Sequence, residues 1–330
     1  MEFSGNQMQP RFTRRDLLTG SAAALALSGC SKARPVIAAP VSIVRAPAYD
    51  QRIYDTVRRL LAEHQLNLRG RSVLLKPNLV EFEPESSINT HPLLVHAVYE
   101  AVRAMGASQI RIAEGPGHRR NTLDLADAAG YFQTVPRFED LFIDLNLDAV
   151  SRVRLPRQVS RIEKLYLPNT ALRADLLISI PKMKTHHWVG ATLSMKNLFG
   201  LVPGGVYGWP KNMLHWAGIN ESIVDLHTAF PRQFAIVDGI VGMEGNGPIQ
   251  GSPKYAGVLV AGWDVRAVDA TCCRIMGIDP MKIAYLQPNT QDDASLLAQD
   301  ISQLGESVAS AVKPFALIPE FQGLRLASPA

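Results

Sequence analysis

The chain has 330 residues, 47% of them hydrophobic and 19% charged, which is enough apolar material for one large α/β domain. Its 34 Lys and Arg against 30 Asp and Glu leave a formal charge of +4, too mild an excess for general nucleic-acid binding. Three cysteines, with no C-x-x-C pair, leave no ligand set for an intrinsic iron–sulfur cluster.

Residues 1–30 read as a targeting segment and are set apart from the fold. Thr13-Arg14-Arg15-Asp16-Leu17-Leu18 resembles a twin-arginine signal, and Leu27-Ser28-Gly29-Cys30 resembles a lipobox whose Cys30 becomes the acylated N-terminus. The apolar run between them is too short to span a bilayer of roughly 30 Å. The expectation is a lipid-anchored protein on the periplasmic face of a bacterial membrane, delivered by the twin-arginine machinery. Ser31 favours the outer membrane if one is present. Removing the leader lowers the formal charge by one, since Arg11, Arg14 and Arg15 face only Glu2 and Asp16. Residues 31–41, rich in proline and alanine, read as a tether, and a single domain is expected over 42–330.

Helical spacing of Ile53, Val57, Leu60 and Leu61 predicts a first helix, followed by a strand Val73–Leu75. A helix Pro92–Met105 has Pro at its first position and Gly106 just past its end, with His91 placed to cap it. Then come a strand Gln109–Ala113, a short helix Leu123–Ala129, and strands near Leu141–Asp144, Ile162–Leu167 and Leu176–Ile180. A helix Asn220–Phe230, a strand Phe234–Val237, a glycine-rich loop, a strand Gly257–Ala261, a helix holding Cys272 and Cys273, and peripheral helices to about Val312 complete the chain. This alternation predicts a doubly wound α/β fold, a mostly parallel sheet with helices on both faces, and an irregular or antiparallel insertion at 131–170. Adjacent helical cysteines point about 100° apart, so Cys272 and Cys273 are expected as small core residues.

The chemistry concentrates where apolar strands end in polar groups. Val73-Leu74-Leu75-Lys76-Pro77-Asn78 and Ile178-Ser179-Ile180-Pro181-Lys182-Met183-Lys184-Thr185-His186-His187 both do so, and Ser194-Met195-Lys196-Asn197 follows. In an open α/β sheet ligands bind beyond the carboxyl ends of the strands, so these groups are expected to meet an anion or a metal. Lys76, Asn78, Lys196 and Asn197 are the candidate anion-binding residues. Lys182 and Lys184 share a strand face with His186, and these three, with His215 in a loop from Pro203 able to fold as a lid, are the candidate catalytic groups. The two-residue alternation sends His187 to the other side. Asp238 and Glu244, in a loop Asp238–Gly251 with five glycines, are candidate ligands with His186 for a divalent metal, and with Glu114 they are the carboxylates available to offset the lysines. Asp269 reads as a cap or salt-bridge partner. No G-x-S-x-G, P-loop or dinucleotide fingerprint is present. There is a weak internal echo: Lys76 and the Glu114 loop match Lys182 and the Asp238–Glu244 loop. Two facing halves would put both sets around one cleft.

Val73 to Val80, Thr90-His91-Pro92, Ala113-Glu114-Gly115, Ile180 to His186, Met195 to Gly200, and Val237-Asp238-Gly239 through Glu244-Gly245-Asn246-Gly247-Pro248 together resemble domain of unknown function 362 over roughly residues 70–290. Some members of that family carry ferredoxin-like cysteine motifs, from which this chain departs. The resemblance implies no defined activity. Fold and residue type are also similar to the nickel-dependent lactate racemase family, as a distant analogue. The leading expectation is an exported enzyme acting on a small carboxylate or phosphate by Lys/His acid–base chemistry, such as racemisation, elimination or cofactor-assisted redox. The alternative is a non-catalytic periplasmic carrier of an anion or metal chelate, or a redox accessory protein.

Overall fold

A computed structural model describes residues 38–287 and 296–327. Arg14, Arg15, Cys30 and residues 31–37 of the expected tether lie outside the described residues. In chain order the main elements are β1 Ala39–Arg45, α1 Arg52–Glu63, β2 Ser72–Pro77, α2 Pro92–Ala104, β3 Gln109–Glu114, α3 Thr122–Ala128, β4 Phe142–Asp144, β5 Val150–Val153, β6 Leu165–Pro168 and β7 Leu176–Ile180. They continue as β8 Lys182–His186, β9 Gly190–Thr192, α4 Ser194–Asn197, α5 Asn212–Trp216, α6 Ile219–Ala229, β10 Gln233–Glu244, β11 Ser252–Gly262, α7 Val265–Ile275 and β12 Ile301–Gly305.

The main sheet runs β12-β1-β11-β10-β7-β2-β3-β4, with β8 on β10 and β9 on β8. From β10 to β4 all pairs are parallel, while β11 is antiparallel to both of its neighbours. Alternate residues of each central strand enter different cores. Leu74, Leu177, Ala235 and Val237 join the core that holds residues of α6 and α7. Val73, Leu75, Ile178, Phe234 and Ile236 join the one that holds residues of α1 and α2. A strand buried on both faces reads as a continuous apolar run, and the fold is the expected doubly wound α/β arrangement.

Local signals were obeyed at the helix ends. His91 accepts a hydrogen bond from the Leu93 backbone N–H and caps α2, Gly106 takes a φ of +83°, and Asp264 caps α7 through Arg266 and Ala267. Cys272 and Cys273 are free and buried. The insertion contains the small antiparallel sheet β5-β6.

Three expectations need correction. The tether does not extend to residue 41, because β1 begins at Ala39 and Val41 is fully buried between β11 and β12. The expected peripheral helices give way in part to β12, which pairs parallel with β1. The glycine-rich loop is largely strand, since β10 runs on to Glu244. Its glycines let β8 approach: a Cβ on Gly239 would meet the Met183 side chain at 2.8 Å, and one on Gly242 would overlap the Met183 carbonyl. Among the described residues no helix is long and apolar enough to cross a membrane.

Because β1 bridges β11 and β12, trimming its buried centre is expected to weaken the whole edge. Ile43→Ala should cost about 2–5 kcal/mol in denaturant unfolding, the range for emptying a buried aliphatic site. A change within error would show that β1 is not integral to the core.

Candidate functional site

The sheet order reverses between β2 and β7. After β2 the chain moves outward through β3 and β4, whereas after β7 it moves the other way to β10. Such a switch point opens a crevice at the carboxyl ends of the two strands. Two side chains hold the diverging ends together. The Thr90 hydroxyl donates to the Ile180 carbonyl and accepts from the Asn78 backbone N–H, at 2.5 and 2.8 Å. Asn197 donates to the Lys76 carbonyl and to Ser179 Oγ, both at 3.0 Å, and accepts from Lys76 Nζ at 3.1 Å. Asn197 therefore acts as a clip between strands, with both its amide hydrogens used, and not as the anion donor expected of it.

Two of the candidate lysines are neutralised in place. Lys76 pairs with Glu114, which also accepts from the Leu79 backbone N–H at 3.1 Å. Lys182 pairs with Asp238 at 2.7 Å, and Asp238 further accepts from the Tyr49 hydroxyl at 2.7 Å and the His91 backbone N–H at 3.0 Å. Each strand-end lysine thus finds the carboxylate its echo suggested. Burial lowers the pKa of both lysines, and the carboxylate partner opposes that shift in each case. Only the first pair adjoins the crevice: Glu114 lines it, whereas Lys182 and Asp238 lie apart, with Tyr49 stacked on His91 at 3.8 Å. Lys182 is accordingly a structural cation and not a member of the site.

The crevice encloses about 340 Å³. Asn78, Lys184, His186, His187, Lys196, Lys211 and His215 reach it, between apolar walls that include Leu79, Val80, Trp188, Pro210 and Ile249. Lys184 donates to the carbonyls of Ile88 and Pro248, at 2.9 and 3.1 Å. Lys211 donates to those of Gly115 and Phe199, both at 2.6 Å. Lys196 has neither kind of partner. Its Nζ lies 3.6 Å from the centroid of the Phe199 ring, and among the described residues no hydrogen-bond acceptor or carboxylate pairs with it. Burial, then the charges of Lys211 and Lys76, bring Lys196 down to about 7. Lys211 is also brought to about 7, chiefly by burial, and burial with the charges of Lys182 and Lys196 holds Lys184 well below the usual lysine range.

His186 and His215 are neutral groups of defined polarity. Burial and the adjoining lysines push His186 well below its ordinary value and His215 to about 4. His186 Nδ1 accepts from the Trp188 backbone N–H at 3.0 Å, so the proton of the neutral ring sits on Nε2 as a donor. His215 Nδ1 faces the Lys211 carbonyl at 3.1 Å and must donate to it, which leaves Nε2 as a bare lone pair. His187 Nδ1 likewise lies against a backbone carbonyl, that of Gly247, at 2.7 Å. Both His186 and His187 line the crevice, contrary to the alternation argument, because β8 ends at His186 and the chain turns there into β9.

Asp238, Glu244 and His186 are not gathered into a metal site. Asp238 is held by Lys182, and Glu244 by Lys254 at 3.1 Å and the Ala316 backbone N–H at 2.8 Å. Among the described residues no group of three or more His, Cys, Asp or Glu side chains is placed to hold a metal ion. Lys211 was missed by sequence reasoning although it stands four residues before His215, a spacing that joins residues across a helical turn. Its φ of +69° turns the expected lid segment into α5 and points both residues to the same wall. Asp269 fulfils the capping role through another helix: it accepts from the Ser194 and Met195 backbone N–H groups and anchors the start of α4, which carries Lys196.

Fold and site together define an α/β protein with a lysine-rich cleft at the switch point of its sheet. The chain belongs to the family described as domain of unknown function (DUF362), whose model matches residues 73–274. It is similar to a thylakoid-associated protein of Synechocystis sp., 33% identical over 218 residues, which are 65% of this chain and 65% of that protein. Among solved structures it is similar to the lactate racemase apoprotein of Thermoanaerobacterium thermosaccharolyticum, with a TM-score of 0.45, 14% identity, and coverage of 72% of this chain and 57% of that one. A structural-genomics protein of Thermotoga maritima matches with a TM-score of 0.38, 13% identity, and coverage of 69% and 59%.

Gly200 packs where a Cβ would overlap Glu114 Oε1 and Lys76 Nζ. Gly200→Ala is therefore expected to displace this buried pair, costing about 1–3 kcal/mol of stability in denaturant unfolding. Unaltered stability would mean that the pair shifts freely and does not set the cleft floor.

Proposed function

We propose that this protein is an enzyme that binds a small organic anion in the switch-point cleft and moves a proton at the carbon next to its carboxyl or carbonyl group. The observation that carries this reading is Lys196: a lysine 9% exposed, facing a cleft, with no acceptor for its ammonium among the described residues. Its pKa near 7 makes an appreciable fraction neutral at physiological pH, which is the condition for a base. Lys184 and Lys211 line the same cleft, each held by two backbone carbonyls, and a bound anion would draw protons onto them. His186 Nε2–H is a neutral donor for the oxygen on which charge develops as the proton leaves, and His215 Nε2 is a second acceptor on the same cleft.

Export by the twin-arginine route and lipid anchoring at Cys30 remain part of this proposal, supported by Arg14, Arg15 and the Leu27-Ser28-Gly29-Cys30 sequence. A relative named for its association with thylakoids is consistent with a membrane-attached protein.

Proton transfer is testable before the net reaction is known. In deuterated water, a panel of 2-hydroxy, 2-oxo and amino acids is followed by NMR for exchange of the hydrogen next to the carboxyl or carbonyl group. Wild type should exchange at least one of them, with Lys196→Met slower by roughly 10²–10⁴-fold, the usual worth of a positioned base. Binding without exchange of any acid would make the protein a carrier.

Anion binding should also take up protons. At pH 8 Lys196 and Lys211 are mostly neutral in the empty cleft, and a bound anion raises both pKa values, so protons must enter from solvent. Calorimetric heats of binding should therefore vary with the ionisation enthalpy of the buffer. Buffer-independent heats at pH 8 would contradict the assigned protonation states.

A further inference from the structure

Five lysines are buried around the switch point, and four have their ammonium groups committed to carboxylates or carbonyls. Lys76 and Lys182 hold Glu114 and Asp238, and Lys184 and Lys211 each hold two backbone oxygens. Lys196 is the exception, with its Nζ against an aromatic face at the cleft. A lysine needed only for charge gains by pairing, whereas one left unpaired in an apolar setting has a lone pair available for chemistry. Two further polar atoms of the cleft lining are buried without partners, Asn78 Oδ1 and Thr192 Oγ1. Because both line the cleft, they are the buried polar groups that a bound ligand could complete.

We propose that Lys196 is a nucleophile that forms an imine with the carbonyl carbon of a 2-oxo acid. This rests on the reading that the cleft takes an organic anion, and it names the class. The Nζ lone pair attacks the carbonyl carbon while the C=O π pair moves to oxygen. One Nζ proton passes to that oxygen, giving a carbinolamine. The second Nζ proton and the hydroxyl then leave as water as the C=N bond forms. Amine and oxo acid become imine and water, with no redox change and no further reactant.

The surrounding groups fit these steps. His186 Nε2–H can donate to the oxygen of the carbonyl under attack, and Asn78 Oδ1 can accept from the hydroxyl of the carbinolamine. Burial and neighbouring cations keep much of Lys196 neutral near pH 7. A carboxylate beside the carbonyl is favoured over a simple aldehyde, because the one carboxylate lining the cleft, Glu114, is already bound by Lys76. Once the imine has taken a proton from solvent on its nitrogen, the cationic nitrogen withdraws electrons from the adjacent carbon, and His215 Nε2 takes a proton there in place of Lys196, whose lone pair is then engaged in the iminium. The cleft of about 340 Å³, walled by Leu79, Val80, Trp188 and Ile249, has room for a bulky side chain on the acid.

The experiment is reductive trapping on the full-length protein. Pyruvate and phenylpyruvate are each supplied with sodium cyanoborohydride near pH 7, and intact mass and peptide mapping follow. The expected result is a single adduct, equal in mass to the acid less one oxygen atom, on Lys196. It should exceed labelling of any exposed lysine by at least about tenfold, since those carry far less neutral amine at that pH. Lys196→Arg should abolish it, and mapping on the wild type locates the adduct even if that variant folds poorly. Adducts spread over exposed lysines would overturn the proposal. Calorimetry without reductant separates the two readings: binding of either acid with no adduct at Lys196 overturns the imine and keeps the anion cleft, whereas neither binding nor adduct overturns both.

Discussion

Burying a lysine ammonium away from water is costly unless its hydrogens find acceptors, and this protein does so five times within one region of its sheet. The surrounding architecture is arranged around that cost. β2 and β7 end in Lys76 and in the Pro181 turn to Lys182, and the next strand on each side, β3 and β10, brings a carboxylate to the same level. Thr90 and Asn197 then fasten the two strand ends across the gap that the switch of direction creates. Gly200 is small because the Lys76–Glu114 pair occupies the space a side chain would need. Removing one member of such a set would leave a charge stranded in the interior, which couples the stability of the sheet to the integrity of the cleft.

The parts legible in the sequence are those whose signal is local. Apolar runs marked β2, β3, β7 and the middle of β10 and β11, and the proline, glycine and His91 around α2 fixed that helix. The strand-end lysines and the carboxylates that offset them were visible as a repeated pattern, because a polar residue closing a buried strand must be used for something. What escaped depends on pairing between distant segments. β1 and β12 become strands by adding to the sheet edge, far from each other in sequence. The strand face shared by Lys182, Lys184 and His186 was legible, but the pairing of β8 with β10 and β9 was not.

The same distinction explains which site residues were misplaced. Glu244 seemed available to a ligand, but the β10-β11 hairpin brings Lys254 diagonally across from it. Asn197 stands beside Lys196 in sequence, yet its amide is used by Lys76 and Ser179, so the two neighbours have unlike roles. Lys211 belongs to the cleft only because the backbone adopts a left-handed conformation at that residue, for which no sequence pattern was present.

The choice of lysine over arginine bears on what the cleft is for. Arginine would bind an anion with better fork geometry and would keep its charge at any physiological pH, yet none of the described residues lining the cleft is an arginine. Lysine is the cation that can surrender its proton when desolvated, and the walls that desolvate it are present. The neutral His186 and His215 point the same way, since backbone contacts settle which nitrogen of each ring carries the proton and leave one donor and one acceptor facing the cleft. A site meant only to hold an anion gains nothing from groups near their point of deprotonation. One that moves protons, or attacks a carbonyl, requires them, and Lys196 is the residue at which packing has left that capacity unspent.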